Sequence, residues 1–153
     1  MKAVIQRVKS ARVNISGETV GEIGQGFLVL LGIDESDTQA DADYIVKKTV
    51  SLRVFDDAEG KMNLSVADIK GEILLVSQFT LIADTKKGNR PSFIGAMHPK
   101  LAEPFFERII DDFKTVYPGG IQTGRFGADM AVSLVNDGPV TICLDSHIRR
   151  KTP

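Results

Sequence analysis

Apolar and polar positions along the chain predict a protein built mainly from β-strands. Short apolar or alternating runs, which are typical of strands, are separated by turns rich in glycine and polar residues. These runs cover residues 2–8, 11–15, 20–23, 27–33, 73–76, 121–123, 127–135 and 140–144. The runs 27–33 and 73–76 are apolar throughout, which predicts strands buried on both faces. We therefore expect 27–33 to be a central strand of the sheet.

Two further segments have the three- and four-residue apolar spacing of helices that bury one face. The first is predicted to begin among the acidic residues 34–37, which offer N-cap side chains. Its apolar face is formed by Ala42, Ile45, Val46, Thr49 and Leu52. The second covers residues 100–116 and follows Pro99, a residue suited to the first helical position. Its apolar stripe consists of Leu101, Phe105, Ile109, Phe113 and Val116, widened by Ala102, Phe106 and Ile110.

The length of 153 residues and the hydrophobic content of 42% fit one globular domain. With the strand-rich pattern they predict an α/β protein of the α+β type, with a mixed, mostly antiparallel sheet and two main helices. The domain is expected to cover residues 1–145, and the polar, basic residues 146–153 are expected to form a loose tail. Cys143, the single cysteine, lies in an apolar run and is expected to be buried and inert.

The charge of the chain limits the kinds of partner that it can bind. With 19 basic and 20 acidic residues the net charge is −1, which argues against a broad surface that neutralises nucleic-acid phosphates. The charge does not exclude a small pocket that binds one nucleotide end. The sequence has no apolar span long enough for a membrane helix and no secretory leader pattern, so we expect a cytoplasmic protein without a membrane segment.

A candidate binding site follows the predicted strand 73–76. Ser77, Gln78 and Thr80 come directly after it, around Phe79. They place hydrogen-bonding side chains where a buried strand meets a loop, a position that often carries binding groups. The plainer interpretation is that these side chains bond only to the backbone of the turn.

The polar segment 84–95 contains Lys86, Lys87 and Arg90. A solvated surface loop is its ordinary interpretation. The functional interpretation is a basic rim that guides a nucleic-acid backbone toward residues 77–80.

A second unusual segment, NDGPVT at residues 136–141, lies between two alternating runs. Asparagine, aspartate, glycine and proline are turn residues, so a hairpin turn is one interpretation. Proline has no N–H to donate to a ladder, however, so Pro139 must lie at a strand end or an edge. An ordinary hairpin therefore accounts for the segment only poorly.

Together, SQFTL at 77–81, KKGNRPSF at 86–93 and NDGPVT resemble the signature motifs of the D-aminoacyl-tRNA deacylases. The resemblance extends over essentially the whole chain, including MKAVIQRV at 1–8 and QTGRF at 122–126. It implies a barrel-like core packed by two main helices. It also implies an enzyme that hydrolyses the ester bond of D-aminoacyl-tRNA, and of glycyl-tRNA(Ala), without a cofactor and without a metal.

The resemblance assigns a reaction site to the first motif. Ser77, Gln78, Phe79 and Thr80 would line this site, and backbone N–H groups of Phe79 or Thr80 would bind the oxyanion. The 2′-hydroxyl of the RNA, rather than a protein nucleophile, would assist hydrolysis. Thr80 would therefore bind substrate, since a hydroxyl without a partner base is a weak nucleophile.

Other residues receive roles from the same resemblance. A cis peptide bond between Gly138 and Pro139 would enter the active site of the partner subunit of a homodimer and exclude L-amino acids. Arg7 would support this loop across the subunit interface; the plainer interpretation of Arg7 is a solvent-facing side chain. Phe126 and Met130 would form a pocket for the terminal adenine, and the alternative is that both are core residues.

Other catalytic patterns do not occur in the sequence. The two histidines, His98 and His147, belong to no motif that pairs them with Ser77 or Thr80, although a triad formed in three dimensions stays open. No CxxC, HExxH, P-loop or Rossmann glycine pattern is present, which argues against a zinc hydrolase or a nucleotide enzyme of those types. Two other classes stay open: a nucleic-acid binding module without catalysis, and a small-molecule esterase with Ser77 or Thr80 as its nucleophile.

Overall fold

One long strand organises the sheet of this protein, seen in a computed structural model that describes residues 1–150, with side chains described for residues 1–148. The predicted runs 2–8 and 11–15 are two halves of this strand, which pairs with one neighbour after another. The strands are β1 (Lys2–Ile15), β2 (Glu18–Ile23), β3 (Gly26–Gly32), β4 (Phe55–Asp56), β5 (Met62–Leu64), β6 (Glu72–Ser77), β7 (Ile121–Thr123) and β8 (Ala131–Asp145).

The main sheet is mixed, as the pattern predicted. Its order is β2-β1-β3-β6-β7, and β8 pairs with β1; the pairs β3–β6 and β6–β7 are parallel, whereas β1 is antiparallel to its partners. Both β3 and β6 are buried along most of their length, because each has a strand on both sides and apolar cover on both faces. Strands β4 and β5 form a separate two-stranded hairpin.

The sheet curls until its two ends approach each other. A Cβ atom at Gly21 in β2 would lie only 2.6 Å from the carbonyl oxygen of Thr123 in β7, so the absence of a side chain permits this approach. The predicted single α+β domain with a barrel-like sheet is therefore confirmed. The concave side holds an apolar cluster of Val8, Ala11, Val13, Ile23, Leu28, Leu74 and Val76.

Helix α1 (Gln39–Ser51) packs on the opposite face of the sheet. It begins after Thr38, not within residues 34–37. The N–H and hydroxyl of Thr38 both donate to Oδ2 of Asp41, at 2.8 Å and 3.1 Å, which forms a capping box. Ala42, Ile45, Val46 and Thr49 of the predicted apolar face are buried, whereas Leu52 is the C-cap residue and only half-buried.

Helix α2 (Pro99–Val116) begins at the predicted proline, but its buried face is shifted around the helix axis. Leu101 and Val116, both predicted in the stripe, are 65% and 51% exposed. The residues that the sheet and α1 bury are Ala102, Phe106, Ile109, Ile110 and Phe113. The spacing of apolar residues predicted an apolar stripe on α2, but the packing of α2 against the sheet and α1 determines which residues of this stripe are buried. No helix in residues 1–150 is long and apolar enough to cross a membrane.

The predicted loose tail is wrong for its first residues. Ser146 begins a short helix, α3 (Ser146–Arg150), and its side chain is fully buried. The ammonium group of Met1 donates to Ser146 Oγ at 2.9 Å and also to the carboxylate of the buried Asp37. Burial of an ammonium group requires such acceptors, and they attach the end of β8 to the start of β1. Residues 151–153 lie outside the described residues.

Cys143 does not fit the prediction either. Its side chain is exposed in this chain, because β8 is an edge strand whose alternate residues face outward.

Candidate active site

An apolar cleft of about 1000 Å³ opens where β3 and β6 end. Its floor comes from the last residues of these strands, and one wall comes from residues 93–98 and the start of α2. A further wall comes from the segment between β7 and β8. The size and apolar lining are those of a site for a small-molecule group rather than for an extended surface. The predicted residues among its lining are Ser77, Gln78, Phe79, Phe126 and Met130.

The first motif is held in place by backbone contacts. Ser77 is the last residue of β6, and the N–H of Gln78 donates to the Leu31 carbonyl at 2.7 Å, which continues the β3–β6 pairing by one residue. The chain then turns into a short 3-10 helix, Phe79–Ile82. This turn exposes Phe79, whose ring meets the Phe93 ring edge-on at 5.1 Å between centroids.

Thr80 lies just outside the cleft lining, on the exposed side of the 3-10 helix. Its Oγ accepts a hydrogen bond from Nε2 of Gln78 at 2.5 Å. An amide donor cannot take a proton from a hydroxyl, so this contact positions Thr80 without activating it as a nucleophile.

The histidines have other partners. His98 lines the cleft at the N-cap of α2, where its Nδ1 accepts from the Lys100 N–H at 3.2 Å. His147 lies beside the N-terminus, with Nε2 2.8 Å from Oδ1 of Asp37. A Ser–His–Asp triad around Ser77 is therefore not formed by either histidine.

Phe126 and Met130 combine both roles that the sequence allowed. Each lines the cleft, and each also packs against a buried cluster; the Phe126 ring lies 6.1 Å from the Phe106 ring. A Cβ atom at Gly124 would lie 2.6 Å from Sδ of Met130, so the glycine lets the thioether approach the backbone.

Sequence reasoning missed part of the cleft wall. Glu35 and the exposed Ile94, together with residues 96–99 and Leu101, line the cleft but belong to no motif singled out from the sequence. Two backbone hydrogen bonds form this wall: Glu35 N–H to the Gly95 carbonyl at 2.9 Å, and Met97 N–H to the Ile33 carbonyl at 2.9 Å. A large apolar residue such as Ile94 in an otherwise polar loop was the available signal.

The carboxyl group of Asp34 lies beside this wall. Its partial burial alone would raise its pKa, but hydrogen bonds from the N–H and hydroxyl of Ser36, at 3.0 Å and 2.7 Å, hold the pKa below its usual value. Asp34 therefore stays ionised and serves the turn rather than acid catalysis.

One group of side chains among the described residues has the composition of a metal site. Asp37, Asp41 and His147 bring possible ligand atoms within 4.8 Å of one another. The ammonium group of Met1 donates to Asp37 there and lies 3.5 Å from Nε2 of His147. A cation of the protein itself is thus bound at this position, outside the residues that line the cleft.

The second motif lies inside β8 and is not a hairpin turn. Gln6 pairs with Thr141 and Val8 pairs with Asn136, so four residues of β8 face the single residue Arg7 of β1. Such an excess of residues makes a bulge in an edge strand. The Gly138–Pro139 peptide bond in this bulge is cis, and both residues are exposed. The bulge explains how a proline is accommodated within the strand.

Arg7 is 7% exposed, so the interpretation as a solvent-facing side chain is wrong. Its Nε donates to the Asp137 carbonyl at 2.9 Å, and its Nη1 donates to the Val54 carbonyl at 2.7 Å. Arg7 thus supports the Gly138–Pro139 loop of its own chain. Its predicted contact across a subunit interface stays a prediction.

The loop between Asp84 and Ser92 is exposed along residues 84–91 and carries Lys86, Lys87 and Arg90. Two backbone hydrogen bonds close its base, between Asp84 and Ser92, at 2.8 Å and 2.9 Å. Phe93 follows directly and lines the cleft, so the basic loop ends at the edge of the cleft.

The chain is similar to known proteins in sequence and in fold. The model of the D-Tyr-tRNA(Tyr) deacylase family matches residues 4–145. A solved structure described as "c-Myc DNA Unwinding Element Binding Protein" is 47% identical, with a TM-score of 0.90, and the match covers 95% of this chain and 98% of that chain. Another, described as "Structural Analysis of a probable eukaryotic D-amino acid tRNA deacylase", is 15% identical, with a TM-score of 0.79 over 94% of this chain and 97% of that chain.

Proposed function

The chain belongs to the D-Tyr-tRNA(Tyr) deacylase family, whose model matches residues 4–145, and we propose how its cleft performs the reaction of that family. As a member it is a hydrolase that removes D-amino acids from tRNA, a proofreading activity. The observation that carries our proposal is the position of the first motif. Ser77, Gln78 and Phe79 form one side of an apolar cleft that can hold the aminoacyl-adenosine end of a tRNA.

Within this cleft, water attacks the ester carbonyl carbon with the assistance of the neighbouring 2′-hydroxyl of the RNA, and the 3′-oxygen leaves and takes up a proton. The N–H groups of Phe79 and Thr80 start the 3-10 helix, where N–H groups have no acceptor within the helix. We assign them to the negatively charged oxygen that forms on the carbonyl carbon. Preorganised donors of this kind lower a barrier by about 3–4 kcal/mol.

The protein supplies no nucleophile in this scheme. The Thr80 hydroxyl accepts from Gln78, and the histidines have other partners. Treatment with a serine-directed fluorophosphonate should therefore leave the protein without a covalent adduct. An adduct on Ser77 or Thr80, detected by mass spectrometry, would support the small-molecule esterase instead.

Selection against L-amino acids is assigned to Gly138 and Pro139 of a second subunit. In one chain this loop lies opposite Arg7, which pairs with Phe27 at the start of β3, whereas Leu31 at the other end of β3 lines the cleft. Four residue steps along β3 separate Phe27 from Leu31 by about 13 Å, and neither Gly138 nor Pro139 lines the cleft of its own chain. We infer that a homodimer completes each active site and that the loop of the partner excludes an L-side chain by steric contact.

This exclusion recognises no side chain, so many D-aminoacyl esters fit the site. Glycyl-tRNA(Ala) is a further substrate by the same argument, because glycine has no side chain to collide. We place the terminal adenine against Phe126 and Met130, which line the cleft beside the first motif. Since aminoacyl-tRNA is consumed in translation, we also propose that the protein works in the cytoplasm.

The experiment that tests this function compares the hydrolysis of D- and L-tyrosyl-tRNA by the purified protein. We expect rapid release of tyrosine from the D-ester and none above the spontaneous rate from the L-ester. Hydrolysis of both esters would indicate a general esterase, and hydrolysis of neither would contradict the assignment.

The basic loop gives a second prediction. Lys87 and Arg90 are exposed on the loop that precedes Phe93 of the cleft lining, and we propose that they neutralise phosphates of the tRNA acceptor end. Replacement of both by alanine should weaken tRNA binding roughly tenfold at low salt and reduce the slope of log affinity against log salt by about 1 to 2. Binding is measured by filter retention across a salt series. The control replaces Lys47 and Lys114, which are equally exposed on the helices, and should leave both values unchanged.

A binding function without catalysis is the second candidate, because the 47% identical structure is described as a protein that binds a DNA unwinding element. The net charge of −1 argues against a broad phosphate-binding surface. A purified protein that binds uncharged tRNA or melted DNA with high affinity, and releases no D-tyrosine, would favour this candidate.

A further inference from the structure

The side chain of Arg7 connects the hairpin of β4 and β5 with the Gly138–Pro139 loop. On the loop side, Nε of Arg7 donates to the Asp137 carbonyl at 2.9 Å and lies 3.6 Å from the Asp137 carboxylate. On the hairpin side, Nη1 donates to the Val54 carbonyl at 2.7 Å and lies 3.5 Å from Oδ1 of Asp56. The guanidinium group therefore joins two segments that are far apart in sequence.

The Gly138–Pro139 loop lies close against the guanidinium group of Arg7. A Cβ atom at Gly138 would lie 3.2 Å from Nη2 of Arg7 and 3.0 Å from the backbone nitrogen of Val140. Gly138 also has a φ of 126°, in the region that side chains disfavour. A displacement of Arg7 would therefore leave Gly138 and Pro139 without the contact that limits their movement.

The β4–β5 hairpin, which Arg7 contacts, is itself held in place by packing and hydrogen bonds. Phe55 is 2% exposed, and its ring lies 5.0 Å from the ring of Phe27 in the core. The turn is closed by the Asp57 carboxylate, which accepts from the N–H groups of Lys61 and Glu59 at 3.0 Å and 2.9 Å. These hydrogen bonds hold the pKa of Asp57 below its usual value, so the turn keeps this structure at neutral pH.

A nearly buried guanidinium group needs both acceptors and a compensating charge. The Asp137 and Val54 carbonyls provide acceptors, and two carboxylates provide charge, one from the loop and one from the hairpin. On the hairpin side, the Asp56 carboxylate adds its charge beside the Val54 carbonyl, which accepts from the same Nη1. Asp56 itself lies outside the residues that line the cleft.

We propose that Asp56 is a positioning residue for the Gly138–Pro139 loop and therefore for the discrimination between D- and L-aminoacyl esters. This proposal rests on the function proposed above. It assigns a role in selectivity to the β4–β5 hairpin, which lies outside both sequence motifs.

The test uses the full-length protein with Asp56→Asn, which keeps the shape and removes the charge, and Asp56→Glu as the conservative variant. The matched control is Glu59→Gln, which removes one charge from the same hairpin but faces Lys61 at 3.6 Å instead of Arg7. The ratio of D-ester to L-ester hydrolysis should fall about 2- to 5-fold in Asp56→Asn, the range expected for one partly exposed ion pair. Asp56→Glu should restore most of the ratio, and Glu59→Gln should not change it.

Nuclear magnetic resonance gives a readout that does not depend on activity. In Asp56→Asn, the signals of the Arg7 Nε–H and of the Gly138 amide should both shift, at a melting temperature close to that of the control. If both signals stay in place, or if they shift while the ester ratio stays constant, the proposal is overturned. If the unmodified protein hydrolyses neither ester, the proposed function fails, and the two signals alone decide whether Asp56 positions the loop.

Discussion

Replacement of Pro139 by alanine is expected to let the enzyme hydrolyse L-tyrosyl-tRNA. The ring of proline fixes φ of residue 139, and Arg7 holds the preceding Asp137, so the loop presents one rigid surface. Alanine restores backbone freedom at the tip of the bulge, and an L-side chain can then push the loop aside. We expect the preference for the D-ester to fall roughly 10- to 100-fold, the scale of discrimination that steric fit supplies.

The measurement is the initial rate on D- and L-tyrosyl-tRNA under single-turnover conditions, with the oligomeric state checked by light scattering. Pro118→Ala is the matched control, because Pro118 is an exposed proline that follows α2 and lies outside the cleft. A Pro139→Ala dimer that still leaves the L-ester intact would show that another part of the site excludes L-amino acids.

Replacement of Gly26 by alanine is expected to cause a large loss of stability. Gly26 is the first residue of β3 and pairs with Glu72 in β6 and with Val8 in β1. A Cβ atom there would lie 1.8 Å from the carbonyl oxygen and 2.7 Å from the nitrogen of Glu72. Both are backbone atoms of the sheet, which cannot rotate away, so the parallel pair of central strands must separate.

We expect the free energy of unfolding to fall by at least about 3 kcal/mol, at the upper end of the range for overpacked sites. It is measured by urea denaturation followed by circular dichroism. Gly24→Ala is the control, because Gly24 is exposed and the nearest atom to its added Cβ is a flexible Glu72 side-chain oxygen at 3.6 Å. A Gly26→Ala protein as stable as this control would mean that the two strands move apart at little cost.

The strands, the helices and the first motif could be read from the sequence because each is specified by residues close together in the chain. Apolar runs identified the central strands, and three- and four-residue spacing identified both long helices. Placement of Ser77 and Gln78 after a buried strand predicted polar groups at a strand end, and both line the cleft. The local sequence pattern was enough to predict these elements, because the backbone geometry of a helix or strand fixes the period at which side chains face the same side.

Other features depended on residues that meet only in the folded chain. The bulge at Gly138 exists because β8 pairs with β1 on both sides of Arg7, and this register cannot be read from either segment alone. The burial of Arg7 depends on the Val54 carbonyl and on Asp56, and the docking of Ser146 depends on the first residue of the chain.

The sequence by itself therefore determined the classes of element, the order in which they follow and the two segments whose residues are unusual for their position, because these are consequences of local periodicity and residue type. Only the tertiary structure decided which side of α2 is covered, how the wall around Glu35 completes the cleft, and which partners hold the Gly138–Pro139 loop. The physical reason is that burial and ion pairing are set by the surroundings of a side chain, and those surroundings come from distant parts of the chain.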